Sequence, residues 1–146
     1  MSDDGLNLHA GCILLGETGV LIRGPSGSGK SILALRLVET RRARGGFAAI
    51  VADDRVLVSR RSGRLVVRPH PAIAGLIEHR GLGIRTVAYE AAAVLRLVID
   101  LTPSGGPRLP AEDERVTRLL GVELPRLAGS ATEADALIEA ALSWPR

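Results

Sequence analysis

Val20-Leu21-Ile22-Arg23-Gly24-Pro25-Ser26-Gly27-Ser28-Gly29-Lys30-Ser31 is the stretch that decides the fold. Its opening is a short apolar strand. Gly24 through Gly29, three glycines and a proline among serines, cannot hold regular structure. From Lys30 onward, Ile32, Leu33, Leu35, Leu37 and Val38 recur at helical spacing to about Arg44, and Gly45-Gly46 stops the helix. Gly24, Pro25, Ser26, Gly27, Ser28, Gly29, Lys30 and Ser31 together satisfy G-x-x-x-x-G-K-[ST], in the strand–loop–helix context that pattern requires. The glycines let successive N–H groups turn inward as an anion nest, and the helix offers its positive end to the same phosphates. Lys30 is the sole lysine among 19 cationic side chains. A compact point charge on a flexible stem suits a tight phosphate pocket that a planar guanidinium would not enter. Ser31 supplies a hydroxyl for Mg²⁺.

Working outward, Phe47 to Ala52 is a continuous apolar run that suits a buried strand, and it ends on Asp53-Asp54. Acids at the carboxyl end of such a strand stand where a phosphate loop needs a carboxylate near its metal. Adjacent residues on extended backbone face opposite ways, so one acid is expected to serve the metal and the other to accept a proton from an attacking hydroxyl. Leu6 to Leu15 reads as one strand carrying His9, and Val56–Ser59 with Leu65–Arg68 as a hairpin about Arg61-Ser62-Gly63. Leu76 to Val87 is apolar but broken by Gly81 and Gly83. Ala88 to Ala93 is ambiguous, and Val94 to Leu101 is a strand with Asp100 near its end. Thr102 to Pro110 is loop, Glu112 to Leu120 is expected to be helical, and Gly121 to Pro125 to connect. Thr132 to Ser143 is an amphipathic helix capped by Ser130 or Thr132. The expectation is an α/β fold: a single P-loop domain over 1–146, with a mixed central sheet flanked by helices.

Composition narrows the function classes. Hydrophobic residues make up 46% and charged residues 24%, which excludes a disordered or coiled-coil chain. Phe47, Tyr89 and Trp144 are the only aromatics, so the core is aliphatic and no stacking platform for single-stranded nucleic acid exists. The net charge of +3 is spread over short arginine clusters that read as solvated helix ends and hairpin rims. Cys12 is alone, so no internal disulfide forms. The start, Met1-Ser2-Asp3-Asp4, is acidic where a signal peptide would be basic, and no apolar run approaches the ~18 residues of a membrane span. A cytoplasmic protein with no nucleic-acid or membrane partner is expected.

Four stretches give the chain a resemblance to the catalytic domain of HPr kinase/phosphorylase, the bacterial serine kinase of the phosphotransferase system. They are Leu8-His9-Ala10-Gly11, Gly24 to Ser31, Val51-Ala52-Asp53-Asp54-Arg55-Val56, and Gly75-Leu76-Ile77-Glu78-His79-Arg80-Gly81-Leu82-Gly83-Ile84. With so short a segment before His9, the chain is similar to the family's short alphaproteobacterial forms. The resemblance implies ATP as phosphoryl donor, Mg²⁺ as cofactor, an HPr-like phosphocarrier protein as substrate and a homo-oligomer, a hexamer in the family. It implies that Lys30 polarises the phosphates, that Ser31 and Glu78 ligate Mg²⁺, and that Asp53 takes the proton from the substrate serine with His9 beside it. That leaves Asp54 on the metal side. It also implies that Arg108 stabilises charge on the transferring group, with Arg115 as its rival. Leu127 to Glu133 holds no cation where the family has a basic segment, which speaks against the reverse, phosphorylase, reaction. Two other readings follow from the loop alone: a P-loop NTPase or small-molecule kinase, and a non-catalytic nucleotide-sensing module.

Overall fold

The strand that leads into the Gly24–Ser31 loop lies inside a mixed sheet. A computed structural model describes residues 4–144; the acidic start before Asp4 lies outside them. The elements in chain order are β1 (Asp4–Leu8), β2 (Gly11–Leu15), β3 (Thr18–Arg23), α1 (Lys30–Ala43), β4 (Ala48–Ala52), β5 (Val56–Arg61) and β6 (Arg64–Pro69), then a 3₁₀ turn over Pro71–Ile73. They continue as β7 (Leu76–His79), β8 (Gly83–Thr86), β9 (Ala93–Leu101), a 3₁₀ turn over Glu112–Arg115, β10 (Val116–Leu119), β11 (Val122–Gly129) and α2 (Ala131–Ser143).

The long sheet runs β1-β5-β6-β9-β3-β2-β4, with β11 beside β9 and β10 beside β11. Strand β9 is shared. Its start pairs antiparallel with β6, while its later residues run parallel to both β3 and β11. Two cores result. Leu33, Ala34, Leu37 and Val38 of α1 and Ala134 and Ile138 of α2 pack with Ile13, Val20, Ile22, Ile50 and Ile99. The opposite face is closed by the β5–β6 arm, through Val56, Val58, Leu65 and Val67 against Cys12, Leu21, Val51 and Val98. Both helices therefore share one face, where Arg36 grips Asp135 and Arg41 grips Glu139 between them. Burial pushes the Cys12 thiol up to about 12, so it serves as an inert core residue.

Connectivity positions the site. Strand β4 lies parallel to β3, with β2 inserted antiparallel between them. The carboxyl ends of β3, β4, β9 and β11 thus share one edge, and the beginning of β2 is at that edge too. Ligands in open α/β sheets bind outside such carboxyl ends.

Three expectations need correction. Leu6 to Leu15 is two strands: the chain bends at His9-Ala10, because β1 pairs with β5 whereas β2 pairs with β3 and β4. Glu112 to Leu120 is helical only as a 3₁₀ turn at its start. Its β-branched Val116 and Thr117 enter β10, and Leu120 (φ 48°) with Gly121 (φ 77°) forms a tight two-residue hairpin turn into β11. The supposed connection Gly121 to Pro125 is therefore turn and strand.

Arg23, the last residue of β3, is tied to Asp100 on β9 by two hydrogen bonds of 2.7 and 2.8 Å, and Arg126 of β11 adds a third of 2.5 Å. Desolvation pushes the Asp100 carboxyl up, but hydrogen bonds from Arg23 and Arg126 and their charges outweigh it and hold it below the usual carboxylate range. Asp100→Asn strands two half-buried guanidinium groups. Discounted for partial exposure, the loss is about 2 kcal/mol, a fall in Tm of roughly 5–8 °C at neutral pH. Because the folded-state value is depressed, this stabilisation is complete above the ordinary carboxylate range and disappears as pH falls through the lower folded-state value. Thermal unfolding of both proteins from pH 7 to pH 2 should show the gap closing at the acid end.

Candidate active site

The loop between β3 and α1 needs glycine at particular points. Gly27 (φ 80°) and Gly29 (φ 96°) adopt left-handed conformations, and a Cβ on Gly24 would lie 2.7 Å from the Ser28 Oγ. Gly29 is the N-cap of α1, whose first turn contains no acid. The helix therefore leaves unneutralised N–H groups facing the loop. Lys30 is only 8% exposed. Its ammonium donates to the carbonyls of Gly24 at 2.8 Å and Pro25 at 3.1 Å, inside the loop it is to serve. The Ser28 hydroxyl is buried without a partner among the described residues.

The two acids lie in different surroundings. Asp53 is buried at 8% exposure. Its Oδ1 accepts from the Ser31 hydroxyl at 2.5 Å and its Oδ2 from the Glu78 backbone N–H at 3.0 Å. Asp54 is exposed, and its Oδ1 accepts from the His9 Nε2 at 2.7 Å. The expected neighbour of His9 was Asp53; the structure gives it Asp54. The physical reason is a register shift between β2 and β4. Cys12 faces Ala52 but Ile13 faces Ile50, so β4 carries one extra residue there. Val51 and Ala52 both pack into the core opposite the helices. The bulge reverses the alternation, turning Asp53 toward α1 and Asp54 away from it.

His9 reaches Asp54 because it stands two residues before the start of β2, which lies against the end of β4. A Cβ on Gly11 would stand 3.0 Å from the Asp53 carbonyl oxygen. Glu78 arrives on β7, which pairs with β8 in a separate two-stranded sheet. His9, Ser26, Gly27, Gly29, Lys30, Ser31, Asp54, Glu78 and Arg80, with Ile32, line one cleft of about 510 Å³.

Arg108 is not among the residues lining that cleft. A turn closed by the Gly105 N–H on the Thr102 carbonyl leaves Arg108 on an exposed loop, and the rival Arg115 donates to Pro110 within the same loop. The arginine that lines the cleft is Arg80, whose Nη1 lies 3.6 Å from the place of a Cβ on Gly27. Arg80 lies in the turn that follows β7, where no strand periodicity reaches it, so its place in the cleft had no signal in the spacing.

No cluster of three or more His, Cys, Asp or Glu side chains suited to a metal ion occurs among the described residues. The Ser31 hydroxyl with one or two carboxylates is instead the donor set of Mg²⁺, which takes its remaining ligands from phosphates and water.

Comparisons with known proteins converge on one family. The family model described as HPr Serine kinase C-terminal domain matches residues 4–141. An HPr kinase/phosphorylase of Geobacillus thermodenitrificans is 40% identical over 121 residues, covering 75% of this chain and 37% of the relative. One of Chlorobium phaeobacteroides is 32% identical over 130 residues, covering 80% and 38%. The HPr(Ser) kinase/phosphatase of Coxiella burnetii matches in structure with a TM-score of 0.75 at 25% identity, over 94% of each chain. The chain spans 22–38% of the length of the first curated relatives it matches. No helix is long and apolar enough to cross a membrane among the described residues.

Gly29→Ala tests the loop geometry. A left-handed non-glycine residue costs about 1–2 kcal/mol, and here the added Cβ would also meet the Ala131 Cβ at 3.0 Å. Gly45→Ala carries the first penalty alone, since nothing lies within 4 Å of its added Cβ. Thermal unfolding should show the larger fall in Tm for Gly29→Ala.

Proposed function

The chain belongs to the HPr serine kinase C-terminal domain family, and on that premise we propose that it transfers the γ-phosphoryl group of Mg-ATP to a serine of an HPr-like phosphocarrier protein. One observation carries the reading. An exposed carboxylate, Asp54, is held by His9 at 2.7 Å in the cleft that also contains Lys30 and the phosphate loop.

The residues support a division of labour. Asp53 spends both oxygens on Ser31 and on the Glu78 N–H, so it holds the metal side and α1 in place. Asp54 keeps one oxygen free and faces the cleft, which suits the general base. Its proton comes from the acceptor serine hydroxyl. As that proton moves to Asp54, the serine oxygen bonds to the γ-phosphorus, the bond from that phosphorus to the β,γ-bridging oxygen breaks, and ADP leaves. The His9 N–H fixes which Asp54 oxygen stays open. Lys30 exchanges its two loop carbonyls for phosphate oxygens, and Arg80, above Gly27, supplies positive charge to the transferring group. The unpaired Ser28 hydroxyl and the empty N–H groups of α1 fit a polyphosphate. Ser31, Asp53 and Glu78 would hold Mg²⁺, which neutralises phosphate charge when bound.

A plain NTPase would need only the loop and a water. The His9-oriented carboxylate on the open side of the cleft favours an incoming alcohol instead.

Incubation with γ-labelled ATP and the HPr-like protein of the same cell, followed by mass spectrometry, should place the label on a serine. Hydrolysis with no labelled protein would overturn the proposal. Asp54→Asn is expected to lower transfer by about 10²–10⁴-fold while sparing nucleotide affinity measured by calorimetry. Asp53→Asn should instead weaken Mg-dependent nucleotide binding. The reverse pattern would show that the two acids exchange these roles.

A further inference from the structure

Residues 87–90 leave the β7–β8 hairpin for the outer edge of β4, the last strand of the long sheet. There Tyr89 forms a single parallel bridge with Ile50, and the Ile50 carbonyl accepts the Glu90 N–H at 2.8 Å. At the foot of the hairpin the Val87 N–H donates to the Gly75 carbonyl at 2.8 Å, one step beyond the Leu76–Thr86 pair. Gly75 meets two demands at once. It is left-handed (φ 74°), and a Cβ on it would stand 2.9 Å from Cε1 and 3.0 Å from Cδ1 of Tyr89. The Tyr89 ring therefore lies against the bare Cα of the residue from which β7 sets out.

The consequence reaches the site. Three residues beyond Ile50 stands Asp53, and three residues beyond Gly75 stands Glu78. The Glu78 N–H donates to Asp53 Oδ2 at 3.0 Å. The hairpin pairs with no other strand among the described residues, so it is fastened to the β4 segment at two points. One is the Tyr89 contact at its foot, the other is the Asp53 carboxylate, and the buried Ile77 lies between them in the chain.

We propose that Tyr89 is a positioning residue for Glu78: its ring on Gly75 fixes where β7 departs, and so sets the Glu78 N–H on Asp53 and the Glu78 side chain in the cleft. One bridge and one hydrogen bond at a sheet edge open readily by themselves; the ring is what closes the foot of the hairpin. The contact is made by ring carbons, not by the hydroxyl, so phenylalanine serves as well and alanine does not. The effect on Mg²⁺ rests on the reading above that Ser31, Asp53 and Glu78 hold the metal.

Tyr89→Ala and Tyr89→Phe in the full chain test this. Amide hydrogen exchange of the ligand-free protein reads the positioning itself. Tyr89→Ala should speed exchange of the Glu78 amide at least tenfold while the amides of β3 and β9 keep their wild-type rates, and Tyr89→Phe should keep the wild-type rate at Glu78. Calorimetry with ATP at rising Mg²⁺ should show the half-maximal Mg²⁺ concentration raised about tenfold in Tyr89→Ala, as when a metal ligand loses its support, with Mg-free nucleotide affinity unchanged. If the wild type binds ATP independently of Mg²⁺, the metal reading fails and the Glu78 exchange rate alone decides the proposal. An unchanged Glu78 rate in Tyr89→Ala overturns it. So does equal acceleration at Glu78, β3 and β9, which would make Tyr89 a contributor to global stability only, and so does a freed Glu78 amide with the wild-type Mg²⁺ requirement.

Discussion

The carboxylate of Asp53 is the joint on which the site depends. One of its oxygens takes the Ser31 hydroxyl at the start of α1 and the other takes the Glu78 N–H on β7. Three separate pieces of chain, the end of β4, the phosphate-loop helix and the apical hairpin, thereby meet at one buried group. A carboxylate at 8% exposure is tolerable only because both its oxygens are satisfied. Those hydrogen bonds also fix the orientation of the carboxylate between α1 and β7.

The sheet beneath makes this convergence possible. Inserting β2 antiparallel between β3 and β4 puts a chain start among strand ends, which is how His9, remote in sequence, comes to Asp54. On the other flank Arg23, Asp100 and Arg126 pin β3, β9 and β11 together directly before the loop begins. The loop's anchor is thus electrostatic on one side, while α1 and α2 bury aliphatic side chains below it. An almost aromatic-free core does not weaken this arrangement, since close-packed Leu, Ile, Val and Ala suffice for a helix-on-sheet interface.

Much of this was legible in the sequence where the signal is local. Gly24 to Ser31, the α1 periodicity, the apolar run into Asp53 and the Ser62-Gly63 turn each depend on a few neighbouring residues. What escaped depends on partners far along the chain. Leu6 to Leu15 alternates and then turns continuously apolar, and only the fact that its halves pair with different strands breaks it at His9-Ala10. Gly121 and Pro125 look like connection, yet Leu120 accepts a left-handed conformation to close the β10–β11 hairpin, a choice apolar residues seldom make. Arg108 was assigned by its place in the chain alone, and the structure has it on an exposed loop, not among the residues that line the cleft.

The assignment of the two acids shows most clearly where the sequence runs out. Alternation predicts correctly that Asp53 and Asp54 face opposite ways, but it cannot say which faces α1. Counting from Ile50, which packs toward the helices, strict alternation turns Ala52 and Asp54 to that side and Asp53 away. The extra residue in β4 inserts one step, Val51 and Ala52 fall on the same side, and the parity inverts. A bulge is a pairing fact between two strands and leaves no mark in the composition of either. In the proposed division of labour the chemistry follows from parity: the acid turned toward α1 is buried and accepts from Ser31, whereas the acid turned away is exposed and paired with His9.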